Sequence, residues 1–64
     1  MLNRLSNRER EVMLLTVEGL SNKQIARQLN MSENTVKVHL HKIYRKLGIN
    51  SRTKLAVLAA ELQH

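Results

Sequence analysis

Residues 32–47 read SENTVKVHLHKIYRKL, and this stretch distributes two kinds of side chain onto two sides of one helix. Because each residue turns an α-helix by about 100°, residues three and four apart share a side. One side is apolar and holds Val36, Leu40, Ile43, Tyr44 and Leu47. The other side is mostly polar or cationic and holds Asn34, Lys37, Val38, His41 and Arg45. We expect the apolar side to face a hydrophobic core and the polar side to face outward.

Val38 lies in the middle of the polar side, although it is apolar and β-branched. A solvated surface has little use for such a residue. A helix in the major groove of DNA, in contrast, can place an apolar side chain against a thymine methyl group while its polar neighbours contact base edges. The pattern therefore predicts that residues 33–47 form a helix that binds DNA.

The charge of the chain favours the same interpretation. The 64 residues include 11 Lys and Arg against 5 Asp and Glu, which is a formal net charge of +6. Residues 1–22 hold three cations and three carboxylates, whereas residues 23–54 hold eight cations and one carboxylate. Positive charge is thus concentrated on the predicted DNA-binding helix and its neighbours, as in a phosphate-binding surface. Ordinary solubilising charge is the alternative.

Helix caps divide the chain into four helices. Two of them begin with the pattern of a capping box, in which a serine and the Glu or Gln three residues later exchange hydrogen bonds: Ser6 with Glu9, and Ser21 with Gln24. Four further boundaries are marked by serine caps and glycine stops: Ser32, Ser51, Gly19 and Gly48. The pattern predicts an all-α fold with helices over residues 7–18, 22–29, 33–47 and 52–63.

Only three residues, 30–32, separate the second helix from the third. A short helix, a tight turn and a second helix that enters the major groove form the plan of a helix-turn-helix. Ala26 suits this plan because its small side chain permits the two helices to approach closely. We therefore name residues 33–47 the recognition helix.

On the first helix, we expect Val12, Leu14 and Leu15 to face inward. Its charged residues are Arg8, Glu9, Arg10 and Glu11. We expect them to form a solvated first turn with local ion pairs, in which Glu9 also completes the capping box.

Length and motifs argue against an enzyme. One small domain leaves too little chain for an active-site cleft and its supporting residues, and no glycine-rich phosphate loop occurs. The chain has no cysteine, so neither a disulfide nor a thiolate metal site is available. His39 and His41 point about 200° apart on a helix and cannot share an ion. We expect no catalytic residue, no cofactor and no metal.

We expect a single domain over residues 1–64, excised from a longer protein, with residues 1–5 as a lead-in or the remnant of a linker. No apolar run approaches the ~18 residues of a membrane span, and the first residues lack the apolar centre of a signal peptide. The sequence therefore predicts a soluble, cytoplasmic protein that does not contact the membrane.

Four short motifs follow one another along the chain. They are LSNREREV from Leu5, GLSNKQIA from Gly19, SENTVKVH from Ser32 and KLGINSR from Lys46. Each is weak alone, but together they make residues 5–60 resemble the LuxR-type (GerE-like) DNA-binding domain, especially that of NarL/FixJ-type response regulators. The resemblance implies a four-helix domain, the output domain of a two-component response regulator, that binds short half-sites in a promoter, usually as a dimer. RNA polymerase is a further partner that it implies.

The resemblance also implies individual contacts. The base-contacting residues at the matching positions are Lys37 and Val38, with His41 one turn further along. The positions that match backbone contacts are Asn22, Lys23, Thr35 and Lys46. From the same recognition helix we add three further backbone contacts, Asn34, Lys42 and Arg45. Many relatives have a longer Lys or Arg in place of His41, so the contact of this shorter side chain is shorter, water-bridged or absent.

The chemistry of these residues leaves alternatives open. Lys37 can donate to guanine O6 and N7, worth roughly 1–3 kcal/mol of discrimination, or it can hold a phosphate. Asn22 and Lys23 lie at a helix N-terminus, where free amides meet phosphate. The hydroxyl of Thr35 either contacts DNA or is satisfied within its own helical turn.

The last helix, LAVLAAEL over residues 55–62, is apolar around most of its circumference. A small domain buries only one side of such a helix, so the second apolar side favours a partner. We expect Leu55, Leu58, Ala59 and Leu62 to face inward, and the dimer interface to consist of Val57, Ala60 and Glu61. The alternative is an alanine-rich helix that forms by intrinsic propensity and has no partner.

Two other functions remain open. The promoter-binding fourth region of a sigma factor has a similar helical plan. A basic helical module that binds an acidic protein partner would belong to a different class. Competition with random duplex separates specific DNA binding from electrostatic attraction.

Overall fold

The computed structural model describes residues 4–62, and of Leu62 only the backbone. It contains four helices, α1 (Asn7–Val17), α2 (Asn22–Leu29), α3 (Glu33–Leu47) and α4 (Arg52–Leu62). This confirms the predicted four-helix, all-α fold. α1 ends at Val17, one residue before the predicted end, and the predicted end of the last helix, Gln63, lies outside the described residues. Within residues 4–62, no helix is long and apolar enough to cross a membrane.

Both predicted capping boxes are present. Ser6 Oγ accepts from the backbone N–H of Glu9 at 3.1 Å, and a carboxylate oxygen of Glu9 accepts from the N–H of Ser6 at 2.8 Å. Ser21 and Gln24 repeat this exchange at 3.2 and 2.8 Å. Each box satisfies N–H groups that the first turn of a helix leaves without partners, so these serines mark where α1 and α2 begin.

The turn between α2 and α3 takes three residues, as predicted. Asn30 adopts the left-handed region with a φ of +56°, which asparagine tolerates better than most residues. Ser32 then accepts from the N–H of Thr35 at 3.0 Å and caps α3. Gly48 ends α3 with a φ of +69°. Local signals in the sequence therefore determine both ends of the recognition helix.

The centre of the core comes from α3. Its buried residues are Val36, Leu40, Ile43 and Leu47, with Tyr44 partly buried against them, as predicted. Ala26 of α2 is also buried, and α2 packs against α3. Leu5, within the predicted lead-in, is buried in the same core, whereas residues 1–3 lie outside the described part of the chain. The polar side of α3 is therefore left at the surface.

The inward face of α1 matches the prediction in part: Val12 is buried and Leu15 is partly buried against the core, as expected. Leu14 was expected to face inward but is 42% exposed, whereas Met13 is 2% exposed. The residues of α1 that are buried share one side at helical spacing: Glu9, Val12, Met13 and Thr16. Because α1 packs against all three other helices, this side faces the core and Leu14 is turned away from it. The expectation of a solvated Glu9 was also wrong.

Candidate nucleic-acid interface

The outward side of α3 carries the predicted base-contacting residues. Lys37, Val38 and His41 are all exposed, and one helical turn separates Lys37 from His41. Val38 is 45% exposed, whereas Val36 is completely buried. The structure thus presents an apolar β-branched side chain on a surface of polar and cationic neighbours.

This surface is strongly cationic. The exposed cations of α2 and α3 are Lys23, Arg27, Lys37, Lys42, Arg45 and Lys46. Glu33 is the single carboxylate on these two helices. Asn34, predicted as a backbone contact, is exposed on α3 as well. The summed positive potential of such a surface attracts a polyanion such as the phosphate backbone.

Thr35 has a local hydrogen-bond partner. Its Oγ1 lies 2.8 Å from Ser32 Oγ, and either hydroxyl can be the donor. Ser32 Oγ also accepts from the backbone N–H of Thr35. If Ser32 donates, the hydroxyl hydrogen of Thr35 remains available for an acceptor outside the helix, so the local contact and a contact with phosphate are compatible.

Lys46, another predicted backbone contact, is held by an internal partner. Its Nζ donates to a carboxylate oxygen of Glu9 at 2.7 Å. The side chain of Lys46 is 40% exposed, whereas that of Glu9 is buried. An ammonium group has three donors, so this pair leaves N–H groups of Lys46 for another acceptor. The ion pair joins the beginning of α1 to the end of α3.

Interactions in the pair lower the pKa of the Glu9 carboxyl. The hydrogen bond from Lys46 is the largest cause, and the hydrogen bond from the backbone N–H of Ser6 acts in the same direction. Burial acts in the opposite direction because it disfavours the charged form. Glu9 is therefore ionised near neutral pH. Arg8 and Glu11, in contrast, form the predicted local pair at 3.2 Å with both side chains half exposed.

The beginning of α2 holds the other predicted backbone contacts. Lys23 is exposed and Asn22 is partly buried. The guanidinium of Arg52 donates to Asn22 Oδ1 at 3.1 Å and to the carbonyl oxygen of Leu20. Arg52 was not predicted as a site residue, because its partners lie 30 and 32 residues away along the chain. The local signals available were its position directly after the Ser51 cap and its place in the KLGINSR motif.

The two sides of α4 differ as expected. Leu55 and Ala59 are buried, and Leu58 is partly buried against the core. The predicted interface residues are all exposed, with Val57 at 55%: Val57, Ala60 and Glu61. The side chain of Leu62, also expected to face inward, is outside the described part.

The two histidines of α3 differ in their surroundings. His39 is partly buried and His41 is exposed, as expected for side chains on opposite sides of a helix. Residues 4–62 contain no group of three or more His, Cys, Asp or Glu side chains that is arranged to hold a metal ion. The absence of a metal or cofactor from the working protein stays a prediction.

The chain is similar to known proteins over almost its whole length. Residues 3–59 match the luxR family of bacterial regulatory proteins. The nitrate/nitrite response regulator protein NarL of Escherichia coli is 45% identical over 56 residues, which are 88% of this chain and 26% of NarL. The nitrate/nitrite response regulator protein homolog of Haemophilus influenzae is 50% identical over 60 residues, 94% of this chain and 29% of that protein. The DNA-binding transcriptional activator DevR/DosR of Mycobacterium tuberculosis is 44% identical over 62 residues, 97% of this chain and 29% of that protein.

The chain thus spans less than a third of the length of these relatives. The family match includes every residue of α1, α2 and α3, and with them the helix-turn-helix and its cationic surface. It favours a regulator domain over the sigma-factor alternative of similar helical plan. The chain therefore belongs to the luxR family of bacterial regulatory proteins and is a DNA-binding transcription-regulator domain of that family.

Proposed function

We propose that this domain recognises a specific promoter sequence by inserting α3 into the major groove. Lys37 donates to guanine O6 and N7, and Val38 contacts a thymine methyl group. His41 contacts a neighbouring base directly or through water. The observation that carries the proposal is the exposure of Val38 on a cationic surface, because the core side of α3 is complete without it.

Contacts with the DNA backbone position the domain. At the beginning of α2, Asn22 and Lys23 meet phosphate together with the free amides of the first helical turn. The backbone contacts proposed on α3 are Asn34, Thr35, Lys42, Arg45 and Lys46. Their support is the concentration of exposed cations on these two helices. Such contacts contribute affinity but carry no sequence information directly.

We propose in addition that the domain forms a homodimer through α4 on DNA. The exposure of Val57 supports this proposal. An apolar residue opposite the buried side of α4 can pack against the same helix of a second copy. The patch of Val57, Ala60 and Glu61 is small, so dimerisation depends on two adjacent half-sites. A Val57→Glu variant should lose cooperative binding to a two-half-site duplex and keep its binding to one half-site. Full cooperativity in this variant would favour an α4 without a partner.

The larger protein is proposed from the relatives. NarL and its Haemophilus influenzae homolog are named response regulators, and this chain spans 26% and 29% of them. We infer that residues 1–64 are one domain, the effector domain of a two-component response regulator in the bacterial cytoplasm. RNA polymerase is its further partner. The domain has no catalytic role in this proposal, because its chemistry is contact with DNA.

The test is a selection of bound duplexes from a random DNA pool at near-physiological salt. Wild type, Lys37→Ala and Lys42→Ala are selected in parallel. We expect the wild type to yield a motif and Lys37→Ala to lose information at one position of it. Lys42→Ala removes the same charge from the same helix at a phosphate contact, so it should weaken binding to all duplexes alike and keep the motif.

An inverted or direct repeat in the motif would support the dimer. If no motif emerges and all duplexes bind alike, the cationic surface provides electrostatic attraction only. The alternative of a basic module that binds an acidic protein would then be favoured.

A further inference from the structure

Arg52 connects two elements that otherwise have little contact. It is the first residue of α4, and its guanidinium reaches Asn22 Oδ1 and the carbonyl oxygen of Leu20. The main packing partner of α4 is α1, and α4 does not pack extensively against α2. The guanidinium thus links the beginning of α4 to the beginning of α2.

This link determines which way the amide of Asn22 points. A guanidinium can only donate, so the amide turns its oxygen toward Arg52 and its NH₂ group away from Arg52. Nδ2 is then left to donate to a group outside the helix. The bond to Leu20 holds the backbone directly before Ser21, the cap of α2. One side chain therefore constrains both the amide of Asn22 and the cap that precedes it.

We propose that Arg52 is a positioning residue for DNA binding, which holds Asn22 with its NH₂ group available to a phosphate oxygen. Arg52 acts through Asn22 and does not itself contact phosphate. This inference rests on the proposed backbone contact of Asn22. A donor that is held in place before binding loses less conformational entropy on binding than a free one.

The two acceptors explain why an arginine is required. Two nitrogens of one planar guanidinium serve Asn22 and Leu20 at the same time. A lysine carries its donors on a single nitrogen at the end of a flexible stem and cannot reproduce this fork. Arg52→Lys therefore keeps the charge but cannot donate to Asn22 and Leu20 from two nitrogens at once.

The test measures affinity for the duplex recovered in the selection, at several salt concentrations. The variants are Asn22→Ala, Arg52→Ala and the double substitution. We expect each single variant to bind about fivefold more weakly, which is the loss of about one net hydrogen bond. The double variant should bind no more weakly than either single variant, because both substitutions remove the same contact.

Salt dependence separates positioning from direct contact. Asn22 is neutral and releases no counterion, so Arg52→Ala should leave the slope of log affinity against log salt unchanged. A phosphate contact made by Arg52 itself would lower the steepness of this slope by about 0.9. That result would overturn the inference.

Lys54→Ala is the matched control, because it removes an exposed cation from the same first turn of α4. We expect its affinity to stay near that of the wild type, and Arg52→Lys to keep most of the loss seen in Arg52→Ala. Thermal unfolding followed by circular dichroism verifies that each variant is folded at the assay temperature. If Arg52→Ala is unfolded there, Arg52→Lys replaces it in the double-mutant cycle with the same expectation.

Two further results would overturn the inference: additive losses in the double variant, or equal affinity of Arg52→Ala and Lys54→Ala. Failure of the proposed function is recognised separately. In that case the wild type itself shows no preference among duplexes, before any variant is compared.

Discussion

The two capping boxes of this domain have the same local geometry in different surroundings. In each box, the side chain at the third helical position accepts from the serine N–H at 2.8 Å. Glu9 is 4% exposed, and its carboxylate also accepts from Lys46, 37 residues away along the chain. Gln24 is exposed, and within residues 4–62 its side chain makes no hydrogen bond other than the one in the box.

A capping box begins a helix in either setting, because it satisfies the same backbone donors. The first box has a second role. Through Lys46 it connects the beginning of α1 to the last turn of α3, the helix proposed to enter the major groove. Two capping boxes with the same local geometry thus differ in how much of the fold depends on them.

The largest effect is expected from Glu9→Ala. It removes the return bond of the box and the partner of Lys46, and it leaves a gap in a buried position. We expect the free energy of unfolding to fall by about 3 kcal/mol. This value is at the lower end of the range for breaking a buried ion pair, because Lys46 is partly exposed. Urea unfolding followed by circular dichroism measures it. Glu9→Gln is the control, because it gives the first box the chemistry of the second. It should lower the free energy of unfolding clearly less than Glu9→Ala does.

Lys46→Met should have the next largest effect. The substitution keeps an apolar stem but leaves the buried carboxylate of Glu9 without its charged donor. We expect a loss of about 2 kcal/mol, the range for a hydrogen bond to a charged group. Lys42→Met, on the exposed side of the same helix, should stay within about 0.5 kcal/mol of the wild type. Equal losses in the two variants would show that the pair contributes nothing.

Lowering the pH should reduce stability by a smaller amount. The pKa of Glu9 is lowered in the folded state, so its contribution to stability is complete above its unfolded pKa of about 4.3 and is lost as pH falls through the lower folded value. The loss should be smaller than that of Lys46→Met, because a protonated carboxyl is neutral and leaves no unpaired buried charge. Glu9→Gln should lack this part of the acid dependence. Identical pH profiles of wild type and Glu9→Gln would contradict the assignment.

Gln24→Ala should have the smallest effect. The variant loses one exposed hydrogen bond to the N–H of Ser21, and Ser21 still caps α2. We expect a loss of about 0.5–1 kcal/mol, or a fall of a few degrees in Tm. Thermal unfolding measures it. A loss as large as that of Glu9→Ala would remove the distinction between the two boxes.

Much of the recognition helix could be predicted from the chain alone. Apolar and polar residues are cleanly separated along α3, and Ser32 and Gly48 mark its ends, so a helical period was sufficient to identify the buried and exposed sides. On α1 the same reasoning was wrong for Leu14 and Glu9. There, the buried side contains a carboxylate and a threonine, and its direction depends on packing against three other helices.

By itself, the sequence determined where the four helices begin, where α1, α2 and α3 end to within one residue, which side of α3 is apolar, and where positive charge is concentrated. These properties depend on neighbours within about one helical turn, which propensity and capping describe. Only the tertiary structure decided that Glu9 pairs with Lys46 and that Arg52 holds Asn22. The two members of these pairs lie 37 and 30 residues apart along the chain, respectively. No local pattern encodes which distant side chains folding brings together.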